Sequence, residues 1–107
     1  MAYLDFTALD GMTGELTRND IAEGQQGLCE LCPISRAVER MFEGFQVSTE
    51  FDHVTVQKNG ETCVVLRVST ALAEWMTEFD DEQDVESIGL QIYTWNVKDY
   101  KYMIDVL

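Results

Sequence analysis

The pair Asn59-Gly60 does most to limit what this chain can fold into. It stands between two apolar, β-branched runs, and Asn-Gly is the preferred centre of a two-residue turn whose twist matches that of paired strands. A hairpin is therefore expected about Lys58-Asn59-Gly60-Glu61, with Thr62 to Val68 as its return strand. Within that strand Cys63-Val64-Val65-Leu66 is apolar enough to lie centrally in a sheet. Ahead of the turn, Phe45, Val47, Thr49 and Phe51 alternate on one face, and Val54 and Val56 continue into the turn. This stretch reads as one incoming strand.

Helical patterns flank the hairpin. Ile34, Ala37, Val38, Met41 and Phe42 recur at helical spacing, which predicts a helix over 33–43. Pro33 suits its first position, where a backbone N–H has no partner anyway, and Gly44 stops it. Leu72, Trp75, Met76 and Phe79 form a second stripe, over about 70–80, which Ser69 or Thr70 caps. Strands are expected near 88–95 and 100–106, the latter alternating Tyr100, Tyr102, Ile104 and Val106 with Lys101, Met103 and Asp105. Upstream, Thr17 caps a short helical turn that Gly24 closes in the left-handed conformation. Residues 1–15, with Gly11 and Gly14, read as a flexible lead-in to a single domain spanning 1–107. The order reads β (weak), α, β, β, α, β, β, and the fold class is α+β: an antiparallel sheet of four to five strands with two helices packed on one face. A split βαβ, ferredoxin-like order is one arrangement of those elements.

Twenty acids against seven bases give a formal net charge of −13. Such a balance repels phosphate backbones, and the bases Arg18, Arg36, Arg40, Lys58, Arg67, Lys98 and Lys101 are scattered in sequence, so direct nucleic-acid binding is not expected. A basic protein surface is the natural partner. The acidity is also local. Glu74, Glu78, Asp80, Asp81, Glu82, Asp84 and Glu86 follow one another, and no base stands between Arg67 and Lys98. Carboxylates on a helix and the loop after it suit a contact set that imitates a phosphate array. An ordinary solvated face and halophilic adaptation are the competing origins of the same charge, and the concentration after residue 73 counts against the second. Calcium is excluded in an EF-hand sense, because Val85 and Gln91 stand where the loop needs a glycine and a bidentate glutamate.

Two further constellations carry chemistry. Cys29-Glu30-Leu31-Cys32 opens the first long helix, and Cys29, Cys32, His53 and Cys63 exhaust the soft ligands of the chain. Together they make a zinc-compatible set, although no second close ligand pair accompanies the first. A redox pair is disfavoured, since Pro33 is the only proline and thioredoxin-like sites need another opposite the cysteines. The second constellation is aromatic. Tyr93, Trp95, Tyr100 and Tyr102 gather on the expected terminal hairpin, either as ordinary sheet packing or as an assembly surface, with Tyr93 and Trp95 as its contacts. An odd cysteine count points to a reducing compartment, and the N-terminus has no secretory pattern, so the cytoplasm is expected. Phosphate-loop, dinucleotide, zincin and nucleophile-elbow motifs are absent, and the reading is non-enzymatic.

The run with Asp20-Ile21, Gly24, Cys29, Cys32-Pro33-Ile34 and Ser35-Arg36-Ala37-Val38-Glu39-Arg40, with Phe79-Asp80 ending the second helix, resembles small proteins of tailed bacteriophages. That family carries no established activity, so the resemblance transfers no functional residue. It implies a phage-encoded accessory protein, a context in which inhibitors of host defence are common; joined to the net charge, this makes a basic host protein in the host cytoplasm the expected partner. Three functions are thus carried forward: an acidic inhibitor or nucleic-acid mimic, a structural zinc domain, and an assembly module.

Overall fold

The computed structural model describes residues 9–24, 32–50, 52–81, 84–96 and 101–107. The fold is α+β. Along the chain run β1 (Thr13–Leu16), α1 (Arg18–Glu23), α2 (Pro33–Met41), β2 (Gln46–Thr49), β3 (His53–Lys58), β4 (Glu61–Val68), α3 (Thr70–Asp80), β5 (Ile88–Asn96) and β6 (Lys101–Val106). The six strands form one sheet in the order β1-β5-β6-β4-β3-β2. Every pairing is antiparallel except β4 with β6, where Leu66, Arg67 and Val68 lie beside Tyr102, Met103 and Ile104.

This corrects the expectation of four to five antiparallel strands with two helices. The sheet is mixed and six-stranded, and a third, short helix is present. One added strand comes from the incoming segment, which is two strands. Val47 and Thr49 are buried at odd positions and Val54 and Val56 at even ones, so the alternation changes phase. A turn makes that change, closed by the Glu50 amide donating to the His53 carbonyl at 2.8 Å. The other is β1, the weak leading strand of the expected order, whose residues pair with Ile88 to Gln91 of β5 and so belong to the sheet rather than to a lead-in. The strand order also departs from the split βαβ scheme, because α3 connects two antiparallel strands and the parallel partner β6 arrives only after a further hairpin.

Strand alternation sends Val54, Val56, Val64, Leu66, Ile92 and Ile104 to one face, where the helices cover them. The amphipathic stripe of α2 lies beneath that face and packs against both edge strands, β1 and β2, which curls the sheet round it. At β1 the approach is close: a Cβ on Gly14 would stand 2.6 Å from the Met41 sulfur. At β2 the Ser35 and Thr49 hydroxyls share a buried hydrogen bond of 2.7 Å. Asn59 and Gly60 both take positive φ, as the hairpin requires. Gly24 does not, and its φ of −70° corrects the left-handed closure. Its glycine serves proximity instead, since a Cβ there would meet the Pro33 ring at 2.6 Å.

One ion cluster ties α1 to α2. Thr17 and Asp20 form a capping box: the Asp20 amide donates to the Thr17 hydroxyl, and the Asp20 carboxylate accepts from the Thr17 amide at 2.8 Å. Asp20 is fully buried. Arg40 donates to both of its carboxylate oxygens and, at 2.9 Å, to the Glu15 carbonyl, while Arg36 Nε stands 3.5 Å away. Burial pushes the Asp20 carboxyl up, but the Arg40 and Thr17 hydrogen bonds and the Arg40 charge outweigh it and hold the group below its ordinary value.

Candidate functional site

Two surfaces emerge, on opposite sides of the sheet. The first is acidic. Ser69 caps α3 by accepting from the Leu72 amide, and Leu72, Trp75, Met76 and Phe79 turn to the core. That choice of face leaves Glu74, Glu78 and Asp81 outward at helical spacing, all exposed. At a rise of about 1.5 Å per residue, three carboxylates are set along roughly 10 Å of helix axis. Asp80, Asp84 and Glu86 are exposed beside them, and Glu82 lies outside the described residues. The connection is fixed to the helix. Trp75 Nε1 donates to the Glu86 carbonyl at 2.9 Å, and Val85 is buried between outward Asp84 and Glu86. Helix and connection therefore present their acids as one surface.

Among the described residues, none of these carboxylates takes part in an ion pair. The last turn of α3 holds no base, although Glu78 and Asp80 sit there and Asp81 caps it. A helix C-terminus carries partial negative charge and favours cations. These acids are placed against that preference.

The second surface is the uncovered face of the sheet, and it corrects the view that the bases are scattered. The register sets Tyr93, Met103, Arg67 and His53 in one row across β5, β6, β4 and β3. The pairing of β5 with β6 skips from Thr94–Tyr102 to Asn96–Lys101, so Trp95 is the unpaired residue of a bulge. Bulges re-aim side chains, and this one leaves Trp95 40% exposed. Arg67 and Lys101 close on its ring, each 5.4 Å from the centroid. With Asp52, His53 and Val65 they line an open cleft of about 580 Å³. His53 Nδ1 shares a 2.7 Å hydrogen bond with Asp52. That bond, against a smaller effect of desolvation and helped by the Arg67 charge, holds the Asp52 carboxyl below its ordinary value.

The aromatic expectation divides. Trp95 is exposed, Tyr93 is half-buried with its hydroxyl on the Met103 sulfur, Tyr102 is buried, and Tyr100 lies outside the described residues. Of the four ligands in the zinc expectation, the three described lie apart. Cys32 is the buried N-cap of α2, accepting from the Ser35 amide at 3.5 Å on the helical side of the sheet. Cys63 is the extra residue of the bulge between β3 and β4, and His53 pairs with Arg67, four positions further along β4. At about 3.3 Å per residue that is roughly 13 Å. Cys29 lies outside the described residues, and among those described no cluster of three or more metal-ligating side chains occurs.

Sequence reasoning found the acidic surface because its residues are contiguous. It missed Asp52, Val65, Arg67 and Lys101 as a group, since only β pairing joins them. The one available signal was the helical coverage of the other face, which leaves odd positions of β4 outward. Among the described residues no helix is long and apolar enough to cross a membrane. No protein-family model matches the chain, and neither a curated protein nor a solved structure matches it.

Proposed function

We propose that this chain is a non-catalytic protein-binding module that engages a basic partner through the carboxylates of α3 and the connection after it. The observation that carries this reading is the acidic C-terminal end of α3: exposed carboxylates, no ion pair among the described residues, and a helix dipole that opposes them. An arginine- or lysine-rich surface docked there relieves both the mutual repulsion and the dipole conflict. A solvated surface patch gains nothing comparable from its own arrangement. The spacing along the helix and the fixed connection suit a partner whose ordinary ligand is a phosphate chain, which makes inhibition by nucleic-acid mimicry the specific form of the proposal.

The test is capture from a lysate on immobilised chain, with Glu74→Gln/Glu78→Gln/Asp80→Asn/Asp81→Asn as the control. The expected partner is retained at low salt, released as salt rises, displaced by duplex DNA and lost with the neutralised control. Retention that ignores salt, or that survives neutralisation, rules the acidic contact out. Retention that DNA does not displace keeps the module and removes the mimicry.

The assembly reading has one observation of its own, the exposed bulge residue Trp95 on the uncovered sheet face. Zinc has no such support among the described ligands.

A further inference from the structure

The uncovered face of the sheet carries a feature that an acidic binding module does not call for. Seven bases serve the whole chain, and two of them, Arg67 and Lys101, converge on one exposed indole. Among the described residues neither side chain makes a hydrogen bond or an ion pair. Among the described residues their side-chain donors are therefore unengaged, while the Trp95 ring draws both toward one point. The acid among the described residues lining the cleft, Asp52, is engaged by His53. Beside the cations Val65 stands 49% exposed, in the middle of a strand where alternation puts it outward. The cleft thus combines two cations, an apolar floor and one opposing carboxylate at the rim.

Each component restricts the ligand. A guanidinium and an ammonium with free N–H groups select an oxyanion. Asp52 cancels one of the two positive charges, so a monoanion fits better than a doubly charged phosphate. The chain as a whole carries −13, which repels anions at long range. Attraction is confined to within a Debye length, about 8 Å at physiological salt. A bare ion gains only that short-range term, whereas a ligand that also covers Val65 and the Trp95 edge adds apolar burial. The volume of about 580 Å³ lies within the range of small-molecule sites, roughly 300–1,000 Å³.

We propose that this cleft binds a small monocarboxylate with an apolar body about the size of two fused rings, its carboxylate between Arg67 and Lys101 and its body over Val65 and Trp95. The site is independent of the acidic surface, which lies across the sheet, and either can fail without the other.

The test is titration of the ¹⁵N-labelled chain with 2-naphthoate, followed by amide and indole N–H shifts, with 2-naphthamide and acetate as controls. The expected result is saturable movement of the Trp95 indole and of the Val65, Arg67 and Lys101 amides. Each control should bind about tenfold or more weakly, having lost either the charge or the apolar body. Arg67→Gln/Lys101→Gln should lose 2-naphthoate binding by a similar factor while its remaining spectrum stays that of the parent. Shifts that do not saturate, that centre on α3, or that match those from 2-naphthamide or acetate overturn the site. So does undiminished binding by the double variant. Saturation by acetyl-Phe-Glu-amide but not by 2-naphthoate replaces the small molecule with a protein side chain.

Discussion

Asp20 and the carboxylates of α3 are the same functional group in two opposite settings. Asp20 is fully buried and accepts from Arg40 and from the Thr17 cap, with Arg36 at its side. Glu74, Glu78 and Asp81 are exposed, and among the described residues they pair with no base. In the first setting the protein supplies the counter-charge, and the acid is a structural tie between α1, α2 and β1. In the second it withholds the counter-charge and adds the wrong end of a helix dipole. The comparison separates two meanings of acidity in a −13 chain: charge that the fold uses, and charge that the fold tolerates. Only the second kind is left over for the partner proposed above.

The comparison predicts that removing an acid has opposite consequences in the two places, and the largest effect belongs to Asp20. Asp20→Ala strands the Arg40 guanidinium and uncaps α1. A loss of about 2–4 kcal/mol is expected in denaturant unfolding, below the figure for a fully buried pair because the Arg40 side chain is 50% exposed and regains water. A loss under about 0.5 kcal/mol, the scale of an ordinary surface change, breaks the distinction. The pH dependence follows from the same contacts. The folded-state value of Asp20 is depressed, so its contribution is complete above the ordinary aspartate value of about 3.9. It is lost as pH falls through the lower folded value. The stability gap between parent and Asp20→Asn should therefore hold from pH 6 down to about pH 4 and close below it, and a gap that closes well above pH 4, or persists unchanged well below it, contradicts the assignment.

A smaller effect is expected where the acidic surface is held rather than charged. Trp75→Phe keeps the ring stacked near Phe79 but removes the bond to the Glu86 carbonyl. About 1 kcal/mol of stability should go with it, and amide exchange at 84–87 should quicken. If helix and connection act as one surface, affinity for a basic partner falls with no change of charge. Unaltered affinity confines the contact to α3.

How far these regions could be read in advance depended on whether their determinants were local. Helices α2 and α3, the Thr17 and Ser69 caps and the Asn59-Gly60 hairpin are set by neighbours within a few residues, and the pattern found them. The acids of α3 were legible for the same reason. The division of β2 from β3 was written in the phase change between Thr49 and Val54, but a single alternating run was the simpler fit. β1 has only four residues, Thr13-Gly14-Glu15-Leu16, and its strand identity comes from β5 and from the close approach of Met41 to Gly14. The Arg67–Trp95–Lys101 cleft was hidden for a related reason. It needs β4 beside β6 in parallel, a pairing that no local signal specifies, and a bulge that aims Trp95 outward. Asp20 was named only within a motif, because its partner Arg40 is twenty residues away.

The smallest predicted effect is the most diagnostic, because its sign is reversed. Glu74 and Glu78 are a like-charge pair one turn apart, and Glu78 lies in the last turn of α3. Glu78→Gln removes one repulsion, worth about 0.2–0.5 kcal/mol, and one unfavourable dipole contact, worth about 0.3–1 kcal/mol at low ionic strength. The variant should therefore melt higher than the parent at low salt, and the difference should vanish at high salt as both terms are screened. Partner binding should weaken in the same variant. Stability and affinity moving in opposite directions at one residue is what an acid kept for a partner produces. An acid kept by the fold, as at Asp20, moves stability the other way. Loss of stability in Glu78→Gln at low salt would place α3 in the same class as Asp20 and leave the acidic surface without its distinguishing property.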